Sequence, residues 1–179
     1  INHSYNPKFV YAHQSINYVE CHDNNTLFDK LSVSNVEEED NTLLKRIKLA
    51  NAMNVLSFGV PFIHMGQEVG LSKYGFDNTY NRLNVNMMNW EQVDDKFDMV
   101  SYLKMIIDLR KTALPHLKLD SQEDIAKIFE TIHCDNGLLV FYSDKKEYLK
   151  DYQKLLIIVN ATNSNLNFDT DDYFTHMPF

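Results

Sequence analysis

The amino-acid sequence predicts an α/β layer structure with parallel strands, followed after about residue 117 by a small all-β module. Three observations carry this expectation. Two short apolar segments suited to strands, at 16–21 and 60–65, alternate with two long segments of helical spacing. A stretch without either period, Gly66 to Trp90, separates the second strand from the second helix. Beyond His116, three β-branched and aromatic runs are separated by a DNG turn and by a charged loop, the pattern of antiparallel strands.

Residues 16–21, INYVEC, form the expected first strand, which runs directly into His22, Asp23 and Asn24. The segment from there to Ser34 reads as loop, with one helical turn at TLFDKL. The acidic run Glu37 to Asp40 then opens a helix expected over 42–58, because acidic side chains meet the positive end of the helix dipole. Leu43, Leu44, Ile47 and Ala50 share one face. Further along, Leu49, Ala52, Met53, Val55 and Leu56 make the helix apolar almost all round, as for a helix covered by neighbours. Gly59 supplies the stop. The second strand, VPFIHM, tolerates Pro61 near its first position, where an N–H is dispensable. So long an irregular stretch as 66–90 is usually functional. The second helix, expected over 95–114, carries a stripe of Met99, Tyr102, Leu103, Ile106, Leu109 and Ala113, with Pro115 past its end. Strands follow at 127–133, 138–143 and 154–160, giving two expected units, 1–117 and 118–179.

Hydrophobic residues make up 44% of the 179 positions, enough for a core, so the chain is expected to be folded and soluble. The net charge of −8 opposes nucleic-acid binding, which needs clustered cations, and favours a neutral polar substrate. No segment reaches the length of a membrane span. Cys21 and Cys134 form no CxxC and read as reduced thiols. This leans towards the cytoplasm, with secretion or a cell-surface location left open. The chain begins Ile-Asn-His, without Met, and is expected to be a piece of a longer polypeptide.

In parallel α/β folds, reactive groups lie where strands end and loops begin. His22-Asp23-Asn24 follows the first strand, and the segment from His64 to Glu68 follows the second. Neighbouring parallel strands would aim Asp23 and Glu68 at one mouth as a carboxylate pair, the equipment of a glycosidase. Tyr74, Phe76, Tyr80, Asn81, Asn84 and Trp90 suit sugars, whose apolar faces stack on rings while hydroxyls bond to amides. Asp and Asn are also common at strand ends for conformational reasons alone, so residue types do not decide the matter. The seven histidines lack zinc spacing, and no phosphate loop or GxSxG occurs. The DTDD run at 169–172 lacks the Gly and Glu of a calcium loop and reads as a solvated cap. No metal and no cofactor is implied.

Three motifs in one order bring a resemblance. YVECHDNNTLFDKL resembles the segment that ends the seventh barrel strand in pullulanases of the alpha-amylase superfamily. GVPFIHMGQE resembles the eighth-strand motif, with Gly59, Pro61, Gly66 and Glu68 in the expected places. The stretch from YGFDNTYN to MMNW is similar to the loop that follows. The resemblance implies the last two strand-helix units of a TIM (β/α)8 barrel, then part of a β-sandwich. It implies that Asp23 is the third catalytic carboxylate, which stabilises an oxocarbenium-like transition state, and that His22 contacts the same sugar. It removes Glu68 from the acid–base role and makes it a residue that shapes the site. Asn24, Tyr80 and Asn81 are implied to line the substrate cleft. Phe28 departs from the family pattern, which has Trp there, so a ring N–H is lost.

The resemblance further implies a retaining hydrolase of alpha-1,6 branch linkages in pullulan, glycogen or starch-derived dextrins. Its nucleophilic Asp and acid–base Glu would lie upstream of this chain, which alone would be inactive and prone to self-association. An alpha-1,4-acting enzyme of the same superfamily and a non-catalytic carbohydrate-binding module are the alternatives. The expected partner is an alpha-glucan, with no nucleic acid and no membrane.

Overall fold

A computed structural model describes residues 9–112, 114–149 and 152–174. The first strand, β1 (Ile16–Asn17), pairs in parallel with β2 (Val60–Pro61), Ile16 opposite Val60 and Asn17 opposite Pro61. Parallel pairing agrees with the sequence reading, but the strand expected over 16–21 is only two residues long. The ladder consists of the Val60 amide donating to Ser15 and the Phe62 amide donating to Asn17. Pro61 contributes no donor between them, and by Glu20 the chain has turned its side chain inward to other partners.

The single turn expected at TLFDKL is a full helix, α1 (Leu27–Ser34). Thr26 caps it, its hydroxyl accepting the Asp29 amide at 3.2 Å. Ser32 and Asn35 side chains donate back to the Phe28 and Leu31 carbonyls. Its buried face includes the charged Asp29, so apolar spacing did not reveal it.

Helix α2 (Asp40–Val55) starts two residues before the expected 42 and ends three before the expected 58. Glu38, just before the helix, pairs with Arg46 in its second turn. The helix buries Leu43, Ile47, Asn51, Asn54 and Val55, while Met53 is exposed. Full coverage was therefore wrong. The polar residues on the buried face are used: the Asn54 amide donates to the Phe62 carbonyl at 2.8 Å, and the Gln67 amide donates to Asn51. Beyond the helix, Gly59 sits at φ +93°, and a Cβ there would lie 2.9 Å from the Ala12 and Ser15 carbonyls.

The 66–90 stretch is not wholly irregular. It holds a 3-10 turn at Gln67–Val69 and a short helix α3 (Leu83–Asn86). The helix expected over 95–114 is α5 (Phe97–Thr112), and a separate short helix, α4 (Trp90–Asp95), precedes it, the two parted at Lys96. The Asn89 side chain accepts the amides at the start of α4, a cap that the hydrophobic stripe did not show. Met99, Leu103 and Ile106 of α5 are buried, and Leu103 and Ile106 pack with Val55 of α2 into a core extended by Ala52, Leu56, Ile63, Tyr102 and Ile107. Ala113, the last residue of the expected stripe, lies outside the described residues.

Another helix, α6 (Gln122–Ile128), occupies the start of the expected strand 127–133; Ser121 caps it. The strand itself, β3 (Glu130–Asp135), is displaced accordingly, whereas β4 (Leu138–Ser143) and β5 (Leu155–Asn160) match closely. They form an antiparallel sheet in the order β3-β4-β5. Asn136 and Gly137, both at positive φ, make the β3–β4 turn. Rings of Phe58, His116, Phe129 and Phe141 pack edge to face in succession, joining the exit of α2 to this sheet. A final short helix, α7 (Asp171–Phe174), has its first amide accepted by the Asp169 carboxylate, in keeping with a cap at DTDD.

Candidate functional site

The turn His22 to Asn25 follows β1 and presents its side chains to solvent. The His22 and Asp23 side chains are 79% and 71% exposed, with His22 Nε2 3.5 Å from Asp23 Oδ1. Asn24 takes a left-handed backbone, φ 61°, which an Asn tolerates better than most residues. The turn is anchored from beneath. The Lys73 ammonium donates to the His22 carbonyl at 3.0 Å, and the Asn25 amide donates to the Gly75 carbonyl at 2.9 Å.

A buried carboxylate under the turn explains why the two loops meet. Glu20 is almost fully buried. Its Oε2 accepts the Leu27 amide at 2.6 Å at the start of α1, and its Oε1 lies 3.0 Å from His64 Nδ1. His64 follows β2, so the ends of β1 and β2 are joined by one imidazole–carboxylate contact. The sequence reading passed over Glu20. Its signal was a charge inside an otherwise apolar strand, a position where burial requires a partner.

Asp29, also passed over, ties the second loop to α1. Its two oxygens accept the Ser72 hydroxyl at 2.6 Å and the Lys73 amide at 2.8 Å. Nearby, the Lys96 ammonium donates to the Val69 carbonyl at 2.9 Å and lies 5.8 Å from the centre of the Phe28 ring. Burial pushes the Lys96 pKa down, with Asp40 and Asp95 opposing the shift.

Glu68 lies in the 3-10 turn Gln67–Val69 that follows β2. Its Oε2 accepts the Gly66 amide at 2.9 Å, closing its own turn. Tyr80 and Asn81 stand exposed on the long loop, with Tyr74 and Trp90 also exposed. The loop beneath is fastened: buried Thr79 donates its hydroxyl to the Asn86 side chain at 2.7 Å, and the Arg82 guanidinium lies 4.7 Å from the Phe76 ring centre. Rings held on a fixed base can offer flat apolar surface to a sugar at little entropic cost. Among the described residues no three His, Cys, Asp or Glu side chains are placed to hold a metal ion. No helix of the described residues is long and apolar enough to cross a membrane.

An exposed aspartate beside an imidazole can accept hydroxyls and can stabilise positive charge once a substrate displaces water from it. No family model matches the sequence. A pullulanase of Bacillus subtilis (strain 168) is 33% identical over 156 residues, which are 87% of this chain and 22% of that protein. The chloroplastic pullulanase 1 of Arabidopsis thaliana is 40% identical over 86 residues, 43% of this chain and 9% of the relative. The chain thus spans about a fifth or less of these curated relatives. Among solved structures, the type I pullulanase of B. subtilis complexed with maltose superposes with a TM-score of 0.84 at 33% identity, covering 88% of this chain and 22% of that one. The Anoxybacillus pullulanase complexed with maltotetraose gives 0.81 at 29% identity, covering 86% and 22%.

Proposed function

Because this chain is a homologue of the pullulanases along most of its length, we propose that it contributes one carboxylate, Asp23, to the active site of a glycoside hydrolase acting on branched alpha-glucans. The bond broken is the alpha-1,6 linkage of pullulan, glycogen or starch-derived dextrins. The observation that carries the reading is the His22–Asp23 turn, held at the end of a parallel strand and fastened to the loop after the next. In this role Asp23 binds hydroxyls of the sugar at the cleavage site and opposes the positive charge that develops on its ring. Its effect grows as the sugar excludes water. His22 contacts the same sugar, and Asn24, Tyr80 and Asn81 line the cleft.

The reaction proceeds with retention, through a covalent glycosyl intermediate. It needs a nucleophile and a proton donor about 5 Å apart, which belong to other parts of a longer polypeptide. In this reading residues 1–117 form the last two strand-helix units of a TIM barrel and residues 118–179 part of a β-sandwich. Uncovered strand surface supports the barrel: the register partners Ile16 and Val60 are 63% and 45% exposed, as expected where further strands would pair and pack. By itself the 179-residue chain is expected to self-associate and to release no reducing sugar from pullulan.

The test is Asp23→Asn in the full-length polypeptide. The kcat on pullulan should fall roughly a hundred- to a thousandfold, the usual loss for one transition-state stabiliser. A variant that keeps more than about a tenth of the parental kcat reduces Asp23 to a turn residue. Activity of the isolated chain that disappears with Asp23→Asn would overturn the division of the catalytic set.

A further inference from the structure

We propose that Lys73 is the positioning residue for Asp23, acting through the His22 carbonyl; this rests on the role given to Asp23 above. Lysine is almost never fully buried without a partner, yet Lys73 is 2% exposed. Its ammonium donates to the His22 carbonyl at 3.0 Å, one peptide before Asp23. A methionine would fill similar space without desolvating a charge. What the cation adds is a directed bond to the backbone that carries the carboxylate.

The bond can position because Lys73 is itself fixed. Its amide donates to Asp29 Oδ2 at 2.8 Å, while Asp29 Oδ1 accepts the Ser72 hydroxyl at 2.6 Å. Asp29 is buried in the first turn of α1, and its own amide donates to the capping hydroxyl of Thr26. A rigid helix end is thereby linked, through Asp29 and Lys73, to the peptide before Asp23. Beyond Asp23, the Asn25 side chain donates to the Gly75 carbonyl at 2.9 Å and brackets the turn from its far side. Asn24 and Tyr74, on the two loops so joined, are both non-glycine residues at positive φ, 61° and 56°. Such conformations persist where surrounding contacts over-determine them.

The choice of a carbonyl as acceptor matters for the chemistry. An ammonium paired directly with Asp23 would neutralise the charge needed for the transition state. Bonded to the His22 carbonyl, Lys73 fixes the backbone and leaves the Asp23 oxygens for the sugar. Its loss should therefore be felt in kcat more than in KM, since misplacement of a stabilising group raises the barrier while the remote sugar contacts persist.

The experiment compares Lys73→Met, Asp23→Asn and the double variant in the full-length polypeptide, measuring kcat and KM on pullulan well below the melting temperature of each. Lys73→Met should lower kcat roughly tenfold or more with KM changed less than about threefold, and in the Asp23→Asn background it should add almost nothing. An unchanged kcat in Lys73→Met, or a loss that multiplies with that of Asp23→Asn, overturns the inference while leaving the role of Asp23 standing. An active Asp23→Asn variant overturns both. Should Lys73→Met not fold, Ser72→Ala, which removes the hydroxyl bond to Asp29 and the acceptor of the Tyr74 amide on the same loop, should give a smaller kcat loss that likewise vanishes in the Asp23→Asn background. A multiplicative loss there rejects the linkage.

Discussion

Glu68 Oε2 accepts the amide of Gly66, two residues before it, at 2.9 Å. Gly66 is at φ +96°, and the Leu71 amide returns to its carbonyl at 3.0 Å, so the turn after β2 closes on itself. A carboxylate engaged in this way shapes the loop. Glu68→Gln keeps an acceptor oxygen and removes the charge, which weakens the bond by about half. In the full-length polypeptide, kcat should stay within about tenfold of the parent, with a stability loss near 1 kcal/mol. Loss of turnover at an unchanged melting temperature would make Glu68 the acid instead.

The elements legible in the sequence were those whose signal is local. LLVFYS bounded by a DNG turn matched β4 residue for residue, because composition and turn chemistry agree there. α1 was not legible, because its buried face includes Asp29, whose partners Ser72 and Lys73 lie more than forty positions away. β1 was over-read for the opposite reason. Tyr18 and Val19 suit a strand, but pairing ends at Pro61. At the site, the His22–Asp23 turn was visible as a motif, whereas Glu20 and Lys73, which hold it, are charged residues that only tertiary contacts explain. α6 overrides a β-like run through a Ser121 cap followed by the acidic residues Glu123 and Asp124, a helix-start signal that the sequence reading did not use.

The Arg110 guanidinium closes the end of α2. It donates to the carbonyl of Val55, the last residue of α2, and to those of Ser57 and Gly59 just beyond it. Burial pushes its pKa down, though an arginine keeps its proton. Arg110→Ala should cost roughly 1.5–3 kcal/mol in urea unfolding, because buried carbonyls lose a charged donor. Arg110→Lys should recover less than half of that, since an ammonium cannot span three acceptors as a planar fork does. An unchanged midpoint in Arg110→Ala would show that these carbonyls find other partners.

Two glycines at positive φ separate steric crowding from backbone strain. At Gly59 a Cβ would sit 2.9 Å from two backbone carbonyls, of Ala12 and Ser15, whereas at Gly75 it would meet nothing within 4 Å. Both residues are left-handed, at +93° and +77°. Gly75→Ala should therefore cost about 1 kcal/mol from strain alone. Gly59→Ala should lower the melting temperature clearly further, because the turn preceding β1 must move. Equal shifts would rule out the crowding.

His116 links stability to pH through its burial. The imidazole is 1% exposed and packs edge to face between Phe58 and Phe129, at centroid distances of 6.3 and 5.2 Å. Neither ring nitrogen has a hydrogen bond of good geometry among the described residues, although the Tyr148 backbone is near enough to favour the proton slightly. Burial dominates and holds the pKa below its ordinary value of 6.5. The folded chain thus keeps His116 neutral at pH values where the unfolded chain protonates it. Between the depressed folded value and 6.5 the unfolded state binds more protons, so stability rises with pH across that window. The contribution is complete above the unfolded pKa and is lost as pH falls through the window. Carboxylates such as Asp98 and Asp144, lowered from 3.8 by Lys48 and Lys145, titrate below the pH range measured in the following test. Urea midpoints measured from about pH 7.5 down to about pH 5 should fall for the parent and fall less steeply for His116→Leu, which removes the proton site and keeps the apolar packing. Parallel slopes for the two chains would mean that the ring accepts its proton without leaving the aromatic column.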